Sequence, residues 1–512
     1  MATSGQQQLE EAELPPVHQI QENGEEQPPD LRPQAILAYL KSRVPTLRPP
    51  SAAERTRAFN PWPALRKINL KQWMFILVAF LGWTWDAFDF FSVSLTATDI
   101  AETLDRSVTD ITWGITLVLM LRSVGAVVFG LAADRWGRKW PFIINCFMFF
   151  VIELASGFVQ TYKQFLGVRA LFGIAMGGIY GNCAATALDD CPVEARGFIS
   201  GLLQQGYAFG YLLGVIFNRA ITYNSPHGWR ALFWFGACPP LLICLFRFFL
   251  PETETYLAQR ELETESAGKA FVHQGKKAVK VYWLMCIFLV FFMAGMNFMS
   301  HGSQDLYPTM LTAQRQFSKD ASTVTNSVAN LGALAGGITL GHISEFAGRR
   351  LTLMVACVIG GALIYPWGFS TTNAGLNASV FFLQFFVQGA WGVVPIHISE
   401  LAPPAFRAFV VGVSYQLGNL ASSASSTIES TIGERFPLVG ENGEKVEGKY
   451  DYGKVMAIFM GCVFGYVLIV SFLGPERRHA SLLTRLTDEE VAEAHEKHLE
   501  VQKGVSEHRE TA

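Results

Sequence analysis

The chain has few charged residues for its length. Only 16% of its 512 residues are Asp, Glu, Lys or Arg, and half are apolar, whereas a soluble domain carries about 25% charged residues. The formal net charge is −3, and no basic patch suited to nucleic acid is present. The missing charge is explained by long apolar runs, each about the 20 residues that a helix needs to cross a bilayer.

Other common features are also scarce. The eight cysteines include no pair with metal-ligand spacing, which argues against a zinc site or a disulfide framework. No nucleophile–base constellation is visible, so we expect neither an enzyme nor a cofactor. The first 30 residues are polar and acidic, with no Lys or Arg before Arg32. They do not form a cleavable signal peptide, and their composition predicts disorder.

The apolar runs divide the chain into two groups of six. Twelve spans are predicted, at 72–96, 108–132, 139–160, 164–187, 197–218, 230–250, 281–304, 325–345, 350–370, 378–399, 405–428 and 454–473. We expect an N-terminal tail (1–71, largely disordered), a six-helix bundle (72–250), a polar linker (251–280), a second six-helix bundle (281–473) and a C-terminal tail (474–512).

The short loops set the predicted orientation. Basic residues cluster in "DRWGRK" (134–139), "GKKAVK" (275–280) and "GRR" (348–350), and basic loops stay on the cytoplasmic side. Both tails fall on that side. Asn377 begins an Asn-Ala-Ser sequon in the loop after the ninth span, which this topology places outside, where glycosylation occurs.

The two halves repeat one another. "GLAADRWGRK" begins at Gly130 and "GHISEFAGRR" begins at Gly341, 211 residues later. The same offset aligns Pro192 with Pro403, Arg196 with Arg407, and Gln205 with Gln416. Parallel six-helix halves with a site between them are the transporter architecture of the major facilitator type. The fold class predicted is therefore an all-α membrane protein with twelve transmembrane helices in two pseudo-symmetric bundles.

The repeated loops resemble the cytoplasmic loop signature of the major facilitator superfamily. In that family an acid and arginines form charge–helix contacts that latch the cytoplasmic side shut. The resemblance assigns this gating role to Gly130, Asp134, Arg135, Arg138, Gly341, Glu345 and Arg349. The simpler reading is that these charges only fix the orientation of the chain.

Charged side chains inside the spans are candidates for transport, since each costs about 2.5–3.5 kcal/mol at the bilayer centre. Asp86 and Asp89 lie three residues apart on one face of the first span, an arrangement suited to a shared proton. Arg122 lies about 18 Å from Asp134 along the second span. It requires an anion, which is either a substrate carboxylate or an aspartate of the first span. Glu153 and Arg169 are taken as structural.

A polar stripe ends the seventh span. One helical face carries five polar residues: Asn297, Ser300, His301, Gln304 and Asp305. This pattern predicts the wall of a cavity, although Gln304 onward is also compatible with an external loop. In the eleventh span Gln416 and Asn419 share a face, and Gln205, with Gln204 beside it, is the repeat mate of Gln416. These amides can donate to carboxylate oxygens.

The stripe resembles the signature of the fungal Jen carboxylate transporters, N-x-x-S/T-H-x-S/T-Q-D-x-x-x-T, in the sialate:proton symporter branch of the major facilitator superfamily. The matching residues are Asn297, Ser300, His301, Ser303, Gln304, Asp305 and Thr309. The resemblance implies proton symport of lactate, pyruvate, acetate, succinate or malate at a fungal plasma membrane. It also implies that these residues, the second-span Arg and the Gln/Asn pair line the substrate path.

The expected partners are a small carboxylate, a proton and the lipid bilayer, with no nucleic acid or metal. We expect the proton on Asp86 and Asp89, or on Asp305 with His301. Gln204 and Gln205 favour capacity for a second carboxylate. The alternatives are a transporter of a sugar or sialate-like acid, which Arg122 and His301 disfavour, and a non-transporting nutrient sensor. Lysines in the tails and linker make ubiquitin and the trafficking machinery further candidate partners.

Overall fold

The computed structural model describes residues 29–478 with short gaps. The gaps are residues 48, 50–58, 107, 223, 262–266, 306, 308–309, 404–405, 424, 426–427, 430–431, 433–434 and 440–444. Predictions for the remainder of the two tails lie outside the described residues.

Each predicted span coincides with one helix or with two consecutive helices. In the first half these are Leu70–Leu95 (span 1), Val108–Trp136 (span 2), Lys139–Ser156 (span 3), Tyr162–Gly177 with Ile179–Leu188 (span 4), Arg196–Gln204 with Gly206–Phe217 (span 5) and Trp229–Phe249 (span 6). In the second half they are Ala267–Gln304 (span 7), Lys319–Ala347 (span 8), Arg349–Phe369 (span 9), Asn373–Leu401 (span 10), Arg407–Ser422 (span 11) and Tyr452–Leu473 (span 12).

Within the described part of the chain, nine helices are long and apolar enough to cross a membrane by themselves. The remaining spans are 5, 8 and 11. Span 5 is divided after Gln204, span 11 has only 16 residues, and span 8 is rich in Ser, Thr, Asn and Gly. These three spans pack against the opposite half, so their lower hydropathy reflects contact with protein rather than with lipid.

The two halves pack most closely where the repeated loops lie. We call this side of the molecule the latch side and the opposite side the far side. A Cβ on Gly130 of span 2 would stand 2.8 Å from the Cα of Phe409 in span 11. A Cβ on Gly341 of span 8 would stand 2.7 Å from the Cα of Gly201 in span 5. Only glycine permits such close contact between backbones, so both motif glycines seal the latch side.

Part of the N-terminal tail, which was predicted to be largely disordered, is helical. Helix Pro33–Ser42 packs on the second bundle: the Tyr39 hydroxyl donates to the Leu473 carbonyl at 2.6 Å, and Arg43 Nη1 donates to the Gly474 carbonyl at 2.8 Å. A short helix, Trp62–Leu65, then leads into span 1.

Smaller elements complete the fold. Helix Ala97–Leu104 follows span 1 on the far side, and helix Glu254–Glu261 lies in the linker. Two π-helical turns, Asn218–Thr222 and Met310–Gln314, follow spans 5 and 7. Strands β1 (Pro437–Val439) and β2 (Lys445–Tyr450) form an antiparallel hairpin before span 12, a small β element that the all-α prediction omits.

Candidate functional site

The polar stripe of span 7 faces spans 10 and 11. Gln388 of span 10 donates to the Ser300 hydroxyl at 3.2 Å, and Gln384 donates to the Ser303 hydroxyl at 3.1 Å. The Gln304 side-chain amide in turn donates to the side-chain amide oxygen of Gln384 at 3.0 Å. Ser303, which the helical wheel placed off the stripe, therefore joins the same network. Neutral hydrogen bonds hold this face of the second bundle together.

His301 is the centre of the stripe. Its Nδ1 lies 3.0 Å from an Asp305 carboxylate oxygen, and its Nε2 lies 3.4 Å from the Asn419 amide oxygen. Asn419 donates its amide N–H to Gln416 at 3.1 Å. Asp305 stands just beyond the last residue of the helix and is 37% exposed at its side chain. It orients the imidazole from the far side, where it can reach solvent.

A central pocket lies between the two bundles at this level. Its lining side chains come from both halves: Gln204, Tyr207, Asn297, Ser300, His301, Gln388, Trp391, Tyr415 and Asn419. The space they leave is only about 10 Å³, roughly the volume of one water. A substrate therefore requires these side chains to move apart. Gln388 and Trp391 were not predicted from the sequence, since uncharged residues in an apolar span carry little signal.

Aromatic rings close the pocket toward the latch side. Tyr180 of the first bundle stacks on Tyr415 of the second, with ring centroids 4.1 Å apart and an interplanar angle of 18°. Trp83 and Trp391 contact Tyr415 at 5.9 and 5.8 Å. The Trp83 and Trp391 indole nitrogens and the Tyr180 hydroxyl have no hydrogen-bond partner among the described residues. This layer joins the halves by ring contacts that leave several polar atoms free.

Arg122 pairs with Asp86. Its Nη2 lies 3.4 Å from Asp86 Oδ2 and 2.6 Å from the Met176 sulfur, and its guanidinium stands over the Phe90 ring. Both side chains of the ion pair are at most 2% exposed. Arg122 Nε and Asp86 Oδ1 have no partner among the described residues. Of the two anions expected for Arg122, this structure contains the aspartate, and the pair retains unused hydrogen-bonding capacity.

Asp89 makes no hydrogen bond with any described residue, and its carboxylate interacts with that of Asp86 only through electrostatics. It points between spans 3 and 6, where its Oδ1 lies 3.1 Å from the place that a Cβ on Gly236 would occupy. Glu153 reaches the same glycine from span 3, and Arg169 Nη1 lies 3.7 Å from Glu153 Oε2. The shared helix face keeps the two aspartates close to one another, but Asp86 contacts Arg122 whereas Asp89 lies beside Gly236.

The cluster of Asp89, Glu153 and Arg169 is buried and poorly paired. All three side chains are fully buried. No hydrogen bond from the described residues reaches either carboxylate or any guanidinium nitrogen. The sequence alone predicts a structural role for Glu153 and Arg169. Two acids and one base with so few hydrogen bonds are costly to bury, which makes this cluster a functional candidate.

The remaining amide candidates lie beside the central pocket. Gln205 is buried against Gly337, and neither polar atom of its side chain has a partner among the described residues. Gln416 is buried as well, and its Nε2 is also unpaired there. Asn297 donates to the Met293 carbonyl at 2.8 Å and lines the pocket. Arg122, Gln205 and Gln416 are absent from the pocket lining.

The first latch joins span 2 to the N-terminus of span 11. Asp134 accepts from the backbone N–H groups of Ala408 at 3.2 Å and Phe409 at 2.8 Å, where the helix dipole favours an acid. Arg138 binds Asp134 at 2.7 Å and Asp189 at 3.2 Å. Burial alone would lower the pKa of Arg138, but these carboxylates outweigh it and raise the pKa, so Arg138 stays charged.

The second latch repeats this geometry in the other half. Glu345 of span 8 accepts from the Gly197 N–H at the N-terminus of span 5. Arg349 binds Glu345 at 2.9 Å and Glu400 at 3.1 Å. The loop motifs do not point to Asp189 or Glu400, although these two acids are 211 residues apart and so obey the offset that relates the two loops.

Two predicted residues, Arg135 and Asn377, stand apart from these sites. Arg135 contributes its carbonyl to a contact with the Tyr256 hydroxyl and is absent from the latch ion pairs. Asn377 lies inside helix Asn373–Leu401 rather than in a loop, and its side-chain oxygen accepts from Thr325 at 2.7 Å. Asn377 is half-buried there, so the sequon is less accessible than a loop would make it. Thr309 lies outside the described residues.

Sequence comparison identifies relatives over most of the chain. The family model described as "Sugar (and other) transporter" matches residues 63–484. The "Carboxylic acid transporter protein homolog" of Saccharomyces cerevisiae is 42% identical over 477 residues, covering 90% of this chain and 77% of that protein. The "Sialic acid transporter NanX" of Escherichia coli is 25% identical over 377 residues, covering 73% and 90%.

Structural comparison gives the fold. The E. coli proton:xylose symporter XylE, a major facilitator protein, aligns with a TM-score of 0.68 at 18% identity, covering 80% of this chain and 97% of that one. The human organic anion transporter MFSD10 aligns with a TM-score of 0.58 at 15% identity, covering 78% and 99%. The major facilitator fold predicted from the internal repeat is thereby confirmed.

Proposed function

Because the chain belongs to the sugar (and other) transporter family, we propose that it carries small carboxylates across a membrane together with protons. Its relatives and its fold are those of multi-pass membrane transporters, not of enzymes. The carboxylic acid transporter homolog at 42% identity supports the substrate class. The further proposals are a fungal plasma membrane, cytoplasmic termini and a cytoplasmic latch side.

The observation that carries the substrate class is the polarity of the central pocket. Neutral donors and one imidazole line it, and Arg122 lies close enough to interact electrostatically with His301 and Tyr415. Amides, hydroxyls and a cation bind a carboxylate without a competing fixed negative charge at the pocket wall. His301 donates to the substrate most effectively when Asp305 holds its other nitrogen.

Two anions, Asp86 and the substrate carboxylate, compete for Arg122 in this mechanism. In this structure Asp86 occupies one Nη group of Arg122, and Nε, which has no partner among the described residues, leaves capacity for a second acceptor. A substrate carboxylate that enters the widened pocket competes with Asp86 for the guanidinium. Since a buried carboxylate without its partner favours its neutral form, release of Asp86 is coupled to its protonation.

We assign a second proton-binding site to Asp89 and Glu153. Their side chains converge on Gly236, and Arg169 is the one cation of the cluster, with Nη1 3.7 Å from Glu153 Oε2. One cation beside two buried acids leaves one acid to be neutralised by a proton. A proton taken with the anion removes the cost of moving a net negative charge inward, about 2.3 kcal/mol per 100 mV. Opening of the latch side would then release the proton and the substrate anion together.

Gln204 extends the pocket on the side of the first bundle, and its carbonyl oxygen lacks a partner among the described residues. Its amide N–H groups suit a second carboxylate, so we include dicarboxylates such as succinate and malate with lactate, pyruvate and acetate. Robust lactate uptake without any succinate uptake would remove the dicarboxylates from this proposal.

The test is uptake by purified protein in proteoliposomes. Labelled lactate and succinate are offered with an inward proton gradient, with no gradient, and with a gradient collapsed by a protonophore. Accumulation is expected only with the gradient. Equal uptake in the three conditions would contradict proton symport, and accumulation of labelled xylose in place of the acids would contradict the substrate class.

The matched variants are His301→Ala and His227→Ala. His301 lies in the pocket, whereas His227 lies on the same side of the molecule and packs on Trp234, outside the pocket. His301→Ala is expected to raise KM about tenfold, the loss of one charge-assisted hydrogen bond, while His227→Ala keeps the wild-type KM. Equal KM values for both variants would remove His301 from the site.

A further inference from the structure

A groove of about 690 Å³ lies between the two halves on the far side, away from the central pocket. Span 5 and its π-helical turn supply one wall, and the beginning of span 8 supplies the other. The lining residues are Leu212, Val215, Ile216, Arg219, Ala220, Asn224, Thr323 and Ser327. Because span 5 runs outward from Gln204, Leu212 lies about 12 Å beyond the central pocket.

The groove combines an apolar wall with a single cation. Leu212, Val215 and Ile216 form the wall, and Ile216 is 52% exposed, so the wall offers apolar surface to a ligand. Arg219 stands at the outer end and is exposed, and no residue that the structure describes pairs with it. Ser327 offers a neutral hydroxyl from the opposite wall.

The π-helical turn explains why Arg219 faces this space. Span 5 changes from α-helix to π-helix at Asn218–Thr222, a change that often marks a functional site. Arg219 and Ala220 both line the groove, whereas Asn218 points back toward the Leu95 carbonyl of span 1. The wider turn therefore directs the cation into the groove beside the exposed apolar wall.

We propose that this groove binds a medium-chain carboxylate, with its headgroup on Arg219 and its hydrocarbon chain on Leu212, Val215 and Ile216. From Arg219 to Leu212 the wall extends roughly 10 Å along the helix, which suits a medium chain rather than a two-tailed lipid. A short substrate acid has too little apolar surface to use this wall. The groove thus recognises acids larger than those that the central pocket can enclose.

Occupancy of the groove opposes transport. Its walls belong to different halves, and alternating access brings spans 5 and 8 together on the far side when the latch side opens. A hydrocarbon chain held between them binds better to the state with the latch closed, so it shifts the population toward that state. The expected effect is inhibition that excess substrate does not relieve.

The first experiment measures binding directly. The full-length protein in nanodiscs of neutral lipid is labelled with octanoate that carries a photoreactive diazirine. We expect labelled peptides from 212–220 and 323–327, and competition by plain octanoate but not by butyrate. Arg219→Gln should reduce labelling about tenfold, the loss of one charge-assisted hydrogen bond. Arg106→Gln, a charge loss on the same side but outside the groove, should leave it unchanged.

The second experiment measures uptake and rests on the proposed function, whereas labelling does not. Octanoate should lower the maximal rate of lactate counterflow without raising KM, and Arg219→Gln should remove the inhibition while basal uptake stays normal. Counterflow without a proton gradient eliminates uncoupling by the acid. Equal labelling of Arg219→Gln and wild type, labels spread over other spans, or displacement by phosphatidylserine but not by octanoate would each overturn the proposal.

Discussion

The two halves share a fold and a charged latch, but they differ in the polar groups that they bury within the spans, away from the latches. In the first bundle the polar groups are charged and poorly hydrogen-bonded: Asp86 with Arg122, and Asp89 with Glu153 and Arg169. In the second bundle they are mostly neutral amides and hydroxyls that bond one another, as Ser300 does with Gln388. The repeat relates Asp86 to Asn297 and Asp89 to Ser300, so each acid of one half is a neutral group in the other.

This difference separates two tasks that a symporter must combine. A neutral hydrogen-bonded network is satisfied before the substrate arrives and keeps its geometry, which suits recognition. Buried charges with unmet hydrogen-bonding capacity respond strongly to a proton or an anion, which suits coupling. On our proposal the first bundle couples transport to protons and the second bundle recognises the substrate, although the two bundles repeat one sequence pattern.

Removing the cation of the first bundle is expected to have the largest effect. Arg122→Gln leaves Asp86 buried without its partner, and we expect lactate uptake to fall about 100-fold or more, equivalent to roughly 3 kcal/mol. Arg122→Lys keeps the charge and should recover part of the rate, since a lysine lacks the bidentate geometry. Uptake and surface expression are measured together, with Arg106→Gln as the control. Normal uptake by Arg122→Gln would contradict a role in transport for the charged groups of the first bundle.

The acids of span 1 and span 3 should show a different kind of loss. Asp89→Asn and Glu153→Gln mimic the protonated acids, so we expect about tenfold or greater loss of gradient-driven accumulation while lactate exchange at equal pH persists. The two rates are measured in the same proteoliposomes. The reverse pattern, lost exchange with intact accumulation, would assign these acids to substrate binding instead.

A neutral bond of the second bundle should matter least. Ser300→Ala removes the acceptor of Gln388, and the expected result is a rise in KM of about fivefold with unchanged dependence on external pH, the loss of one neutral hydrogen bond. Ser327→Ala in span 8 offers a control outside the pocket. If Ser300→Ala altered the pH profile, the second bundle would also take part in proton coupling, which would contradict the division of roles between the bundles.

Hydrophobic length and the internal repeat predicted most of the fold from the sequence. Span boundaries followed from the apolar runs, since the bilayer fixes how long such runs must be. The offset of 211 also held the information needed to find Asp189 and Glu400, because both obey it. Helix Pro33–Ser42 was not predicted because the surrounding tail is basic and contains several prolines. Its order comes from contacts with residues more than 400 positions away.

The candidate site was only partly predictable. The stripe on span 7 could be read from helical periodicity, because its members belong to one helix. The proximity of Asp89 to Glu153 could not be predicted from periodicity, because it depends on which neighbouring helix packs against a given face of span 1. Gln388 and Trp391 were not predicted for a related reason. A single amide or indole inside an apolar run gives no periodic signal, and its role is visible only once a second helix packs against it.

The packing of helix Pro33–Ser42 has a consequence for the path of the chain. Tyr39 and Arg43 bond the carbonyls of Leu473 and Gly474, so the first and last described elements of the molecule touch, and the backbone traces a nearly closed circuit. Folded chains whose ends meet tolerate circular permutation. Joining these ends and opening the chain in the linker between the bundles would give two halves in reversed order, with every span still beside its present neighbours.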